Sequence, residues 1–178
     1  VNTDWFDLLT RTAVSHNHNL SVAGGTEEIT YNVSVGYNNT MGQEIGNSSE
    51  RMTGRVALNA RLHEKVRLDV QINATSTETK TFGQGVNPLS YATTTSRALP
   101  AYDENGDPVY YQKRCGYPYN RAVENLSYNF INERDNSGTT NKNIHLSTAL
   151  NFKWYILDWL SYEFAGGYTA SSTNGESY

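Results

Sequence analysis

The stretch Ile29–Asn38, ITYNVSVGYN, places Ile29, Tyr31, Val33, Val35 and Tyr37 on one side of an alternation and Thr30, Asn32, Ser34, Gly36 and Asn38 on the other. A period of two without an error describes a β-strand with one apolar and one polar face. Working outward, the pattern returns. Met52, Gly54, Val56, Leu58, Ala60 and Leu62 oppose Thr53, Arg55, Ala57, Asn59 and Arg61, and Val66, Leu68, Val70, Ile72 and Ala74 oppose Arg67, Asp69, Gln71, Asn73 and Thr75. Ile144, Leu146, Thr148, Leu150, Phe152 and Trp154 stand against His145, Ser147, Ala149, Asn151 and Lys153. A last run sets Leu160, Tyr162, Phe164, Gly166 and Tyr168 against Ser161, Glu163, Ala165, Gly167 and Thr169, and a short one, Leu20 and Val22, precedes them all. The fold class is all-β, with about six antiparallel strands.

Connections between these runs alternate in length. Ala23–Glu27, His63–Lys65 and Ile156–Asp158 are tight turns, whereas Asn39–Ser49 and Thr81–Thr140 are long. Short turns at one end and long loops at the other are the habit of an outer-membrane barrel, with the short set periplasmic. A strand of about 12 residues at about 45° tilt spans about 28 Å, which suits the apolar band of a bilayer. The expected layout is one partial barrel domain over 1–178. It has an outer-loop helix in 1–14, where Asp4 caps Trp5, Leu8 and Leu9, then four strands in 15–80. A long extracellular loop follows in 81–140, then two strands in 141–172.

Composition narrows the function. The 178 residues carry 14 Lys and Arg against 18 Asp and Glu, a net charge of −4 without charge runs, so nucleic acid is not an expected partner. Mean hydropathy is −0.63, as a polar inner face and polar loops require. Apolar runs are far shorter than the roughly 20 residues of a membrane helix. Cys115 stands alone, so no internal disulfide is available. With no initiator Met at Val1, the chain reads as a piece of something longer. All four prolines, Pro88, Pro100, Pro108 and Pro118, fall in the long insert, leaving the rest free to be sheet. No strand is expected between Asn87 and Asn120.

Several phrases then resemble one family. Asn2–Gly42, with NHNLSVAGG entering its alternating strand, Glu50–Thr75 (ERMTGRVALNARLHEKVRLDVQINAT), Asn87–Tyr111 with AYDENGDPVYY, and Gly167–Tyr178 (GYTASSTNGESY) look like the barrel of SusC/RagA-type TonB-dependent outer-membrane transporters of Bacteroidetes. The resemblance implies a barrel of about 22 strands around a plug. It further implies a SusD-type surface lipoprotein as lid, import of glycans or peptides, and energy from TonB. The plug, the TonB box and most strands lie outside these residues, so coupling and gating map onto no position here.

Candidate chemistry is sparse. His16 and His18 lie two apart, but His63 and His145 are solitary, and a metal centre needs a third convergent ligand. Asp103–Asp107 has the look of a calcium loop without EF-hand spacing and reads better as a Gly-centred turn. No catalytic or cofactor motif occurs, so no enzyme, metal or cofactor is expected. Tyr91, Tyr102, Tyr110, Tyr111, Tyr117 and Tyr119 crowd the insert, with Tyr128 beyond. Flat rings carrying hydroxyls suit ligand stacking, the alternative being a loop that packs on itself. Phe152, Trp154 and Trp159 read as an interfacial aromatic girdle or as core. Arg55, Arg61, Arg67, Asp69, Lys153 and Glu163 should face the lumen or plug, because a charge facing lipid costs about 2–4 kcal/mol at the midplane. The faces bearing Val33, Leu58, Val70, Leu146 and Phe164 should be covered, by a second sheet, another copy or detergent. A soluble β-sandwich acting as a carbohydrate-binding or adhesive module is the rival reading, and an uncoupled porin-like barrel a third.

Overall fold

A computed structural model describes residues 2–82, 87–109, 111–113 and 126–178. Six strands form one antiparallel sheet in which each pairs with its predecessor: β1 (Ser15–Gly25), β2 (Ile29–Met41), β3 (Ser48–His63), β4 (Val66–Phe82), β7 (Gly138–Leu157) and β8 (Leu160–Ser177). The turns after Gly25, His63 and Leu157 gather at one end. Asn39 pairs with Glu50 at the opposite end of β3 from His63, which pairs with Val66. The sidedness read from connection lengths therefore holds.

Register decides which side chains share a face. One row runs Val22, Val33, Val56, Ile72, Thr148, Tyr168, and the next odd row runs Ser21, Ser34, Arg55, Asn73, Ser147, Thr169. Every apolar run thus lands on the same side, and a one-residue slip anywhere would scramble it. From the row of Val66, Trp154 and Tyr162 to that of His18, Tyr37, Met52, Ser76 and Ile144, this face carries no acid, lysine or arginine. Ten residue steps make about 33 Å of strand and, at about 45° tilt, a band about 23 Å tall. Two residues farther, the face turns charged at Glu50, Glu78 and Lys142.

No second layer covers that band among the described residues. Leu20 is 71% exposed and Trp159 81%, while Val33, Val56 and Phe164 stand open to a lesser degree. A soluble sandwich would need the missing layer here. Phe152, Trp154 and Trp159 are likewise not core: Trp154 is exposed beside Tyr162, its partner across β7 and β8, and Trp159 occupies the turn.

The buried core lies elsewhere, at the long-connection end. Helix α1 (Trp5–Leu9) is capped by the Asp4 carboxylate, which accepts from the backbone N–H of Phe6 and Asp7. The insert contributes α2 (Pro88–Thr94), capped by Asn87, and α3 (Phe130–Asn136), capped by Asn129. Trp5, Leu9, Ala92, Ala101, Phe130 and Ile131 form one buried cluster with Leu8, Phe82, Tyr91 and Leu99 against it. We refer to this assembly as the plate.

Two expectations are corrected. A strand does fall inside Asn87–Asn120, since β5 (Tyr111–Lys113) pairs with β6 (Leu126–Tyr128) as a short ribbon. The sheet also outruns the apolar pattern: β4 continues to Phe82, β7 begins at Gly138 and β8 reaches Ser177. Residues 75–82 and 138–143 are rich in Thr, which favours strand, and periodicity is lost because beyond the band neither face must be apolar.

Candidate functional site

The plate is the first place where side chains converge. Trp5 enters it with its ring 5.3 Å from that of Tyr91 at 85°, and its indole N–H donates to the Ser96 carbonyl at 3.2 Å. Phe130 meets Phe82 edge-on at 5.5 Å and Tyr91 at 5.7 Å. Asn129 is fully buried, donating from Nδ2 to the Ala101 carbonyl at 2.8 Å and accepting from the Ile131 N–H at 3.1 Å, so one amide ties the 101 segment to α3. The plate is bound to the β2–β3 connection as well. Arg11 donates to the carbonyls of Gly42 and Asn47, and Arg97 pairs with Asp4 at 2.8 Å.

Of the tyrosines singled out in the insert, Tyr91 is half-buried in this core. Its hydroxyl neighbours Thr95 and the Phe130 backbone without a hydrogen bond of good geometry, and burial pushes its pKa up. Tyr102 is 41% exposed and pairs its backbone with Pro108 across a turn. That turn is closed by the Asp103 carboxylate, which accepts from the N–H of Asn105 and of Asp107, with Gly106 at φ +89°. Only glycine takes that backbone conformation without strain, and the Asp103 oxygen is spent on the turn. Tyr111 and Tyr128 are backbone register partners in the β5–β6 ribbon. Tyr110, Tyr117, Tyr119 and Cys115 lie outside the described residues.

The histidines separate. His16 and His18 sit 5.8 Å apart and both lie against the Tyr37 ring, at the outer margin of the apolar face. His63 accepts from the Lys65 N–H in its turn, and His145 belongs to the polar face. Among the described residues no three His, Cys, Asp or Glu side chains converge as a metal site.

The polar face is the second candidate. Arg55, Arg61, Arg67, Asp69, Lys153 and Glu163 all lie on it, with Arg61, Arg67, Lys153 and Glu163 in one row. Lys153 pairs with Glu163 at 3.3 Å, and the Arg67 and Lys153 cations lie over the Tyr155 ring at 5.8 and 5.3 Å. A hollow of about 480 Å³ near the tight turns is lined by Glu27, Glu28, Arg61, Arg67 and Asp69. Toward the long connections two smaller hollows, about 370 and 270 Å³, share Arg51. Sequence reading passed over Arg51. It lies one step before Met52 in the same alternation, so continuing the pattern outward from Thr53 would have placed it on the polar face.

No protein-family profile matches the chain. It is 27% identical over 128 residues to the TonB-dependent receptor P26 of Formosa agariphila, an alignment covering 72% of this chain and 13% of that protein. It is 40% identical over 73 residues to the TonB-dependent receptor SusC of Bacteroides thetaiotaomicron, covering 41% of this chain and 7% of that one. The chain therefore spans only a small part of the length of these relatives. In fold it is similar to a chain of the RagAB peptide transporter, with a TM-score of 0.77 at 18% identity, over 99% of this chain and 20% of that one. The same transporter captured in a closed-closed state gives the same figures. The resemblance read from the sequence is borne out: the chain is similar to part of TonB-dependent receptors, SusC among them, and in fold to part of a chain of the RagAB transporter.

Proposed function

We propose that the chain forms part of the wall and outer rim of a TonB-dependent importer in a bacterial outer membrane. The single observation that carries this reading is the apolar face, free of acids, lysines and arginines over a height suited to lipid and left bare by the other described residues. In that setting lipid takes the place of a second layer, and the polar face borders the passage. The long-connection end, with its plate, faces outward, where a SusD-type lipoprotein would settle as lid. TonB would engage parts of the protein beyond these residues. The residues bind and guide solute and make or break no bond. The cargo is a glycan or another nutrient.

Ligand or lid contact is assigned to the insert, with exposed Tyr102 as anchor, Tyr110, Tyr111, Tyr117 and Tyr119 in the same segment, and Tyr91 holding the plate beneath. Loops on a rigid scaffold commonly carry recognition. Excising residues 87–120 would be a poor test, because Tyr91, Ala92 and Ala101 build the plate's core. Alanine at Tyr102, Tyr110 and Tyr117 in the full-length protein should instead weaken solute binding or lid docking by about 1–3 kcal/mol per anchor. Surface abundance should stay normal. Unchanged uptake and unchanged lid affinity in the triple variant would remove the binding role from this loop.

A further inference from the structure

The polar face divides by charge. Near the tight turns acids and bases are mixed: Asp69, Glu163, Glu27 and Glu28 accompany Arg61, Arg67 and Lys153. From the row of Ala57 and Gln71 outward, its strand positions carry no acid, and the only full cations are Arg51 and Arg55. Neither has an ion-pair or hydrogen-bond partner among the described residues, and both are exposed. The row through Arg51 reads Asn17, Asn38, Arg51, Thr77, Asn143, Thr173. Gly36 keeps the floor of the adjoining hollow low, since a Cβ there would lie 2.5 Å from Thr53 Oγ1 and 2.6 Å from Asn19 Oδ1.

Arg51 and Arg55, four residues apart on one strand, have backbones about 13 Å from each other along it. Each offers a planar fork of donors that fits a carboxylate. Between and around them the wall supplies amides and hydroxyls, and within the sheet this face holds no aliphatic side chain larger than alanine. A peptide would find nothing there to receive its apolar side chains. A polyhydroxylated chain bearing carboxylates finds both partners it needs.

We propose that Arg51 and Arg55 form a subsite for the carboxylates of an acidic oligosaccharide moving along this wall. The inference rests on the polar face bordering an aqueous passage, as proposed above. The test uses the full-length protein in detergent, with trigalacturonate, its neutral methyl ester and a tri-aspartate peptide as probes. The double variant Arg51→Gln/Arg55→Gln should lose about tenfold or more of its affinity for trigalacturonate, and Arg51→Lys/Arg55→Lys should retain part of it. The methyl ester should bind weakly to all three proteins, and tri-aspartate more weakly than trigalacturonate. Equal trigalacturonate affinity in wild type and double Gln variant overturns the subsite, and tri-aspartate binding as tightly as the sugar overturns its assignment to a saccharide. A separate measurement keeps the passage itself in view. In a Cys115→Ser background in liposomes, Thr53→Cys should react with a charged thiol reagent and Val56→Cys should not, and the reverse pattern would overturn the wall reading rather than the subsite alone.

Discussion

Trp5→Ala should collapse the plate while leaving the sheet assembled. The indole is 1% exposed, meets Tyr91 edge-on and holds the Ser96 carbonyl, so truncation removes packing, an aromatic pair and a hydrogen bond together. Losses of about 3–5 kcal/mol are usual for an aromatic cut from a core. The cluster around it is small, with Leu9, Ala92, Ala101, Phe130 and Ile131 as its other buried members among the described residues. Limited proteolysis should cut the Trp5→Ala protein within 87–109 at protease levels that spare the wild type. The heat-modifiable migration of the folded barrel should persist. Resistance equal to wild type would show that the plate is held from outside these residues.

The second large effect concerns neighbouring positions on β4. Ile72 lies mid-band on the apolar face, and Asn73 points to the other side, with its Nδ2 3.5 Å from Ser147 Oγ. Arginine at Ile72 should cost about 2–4 kcal/mol because lipid cannot solvate it, whereas arginine at Asn73 should be accommodated by water. Folded protein in the outer membrane should fall sharply for Ile72→Arg and hold for Asn73→Arg. Equal abundance of the two would be incompatible with a lipid-facing band.

Strand order, pairing and sidedness were legible because a half-buried strand must alternate and because β1 and β2, β3 and β4, and β7 and β8 are joined by turns too short for any other partner. From Val33 alone one can count outward to the whole apolar row. The same logic explains what was missed. Where β4 and β7 run past Ser76 and Ile144, neither face has to be apolar along its length and nothing forces alternation, so their true lengths left no mark. Helices α2 and α3 were hidden for a related reason: each is 7 residues long and buries only two side chains, Pro88 and Ala92 or Phe130 and Ile131, too few to show a period. Asn87 and Asn129, each followed by an apolar or Pro residue, were the available signs of a cap. The inward turn of Tyr91 depends on contact with Trp5, 86 residues away in sequence, which no local pattern encodes.

The overlong strands have a mechanical consequence. Six steps from Ser76 to Phe82 add about 20 Å of strand, or about 14 Å of height at the same tilt. In the proposed membrane setting they would raise the plate on a parapet clear of the lipid headgroups, like a deck on stilts. The deck would then be governed by ordinary aqueous thermodynamics and the wall below by the bilayer. Urea, which weakens apolar burial in water, would reach the deck long before it reached the wall. Such a molecule has no single unfolding midpoint, because its two storeys answer to different solvents.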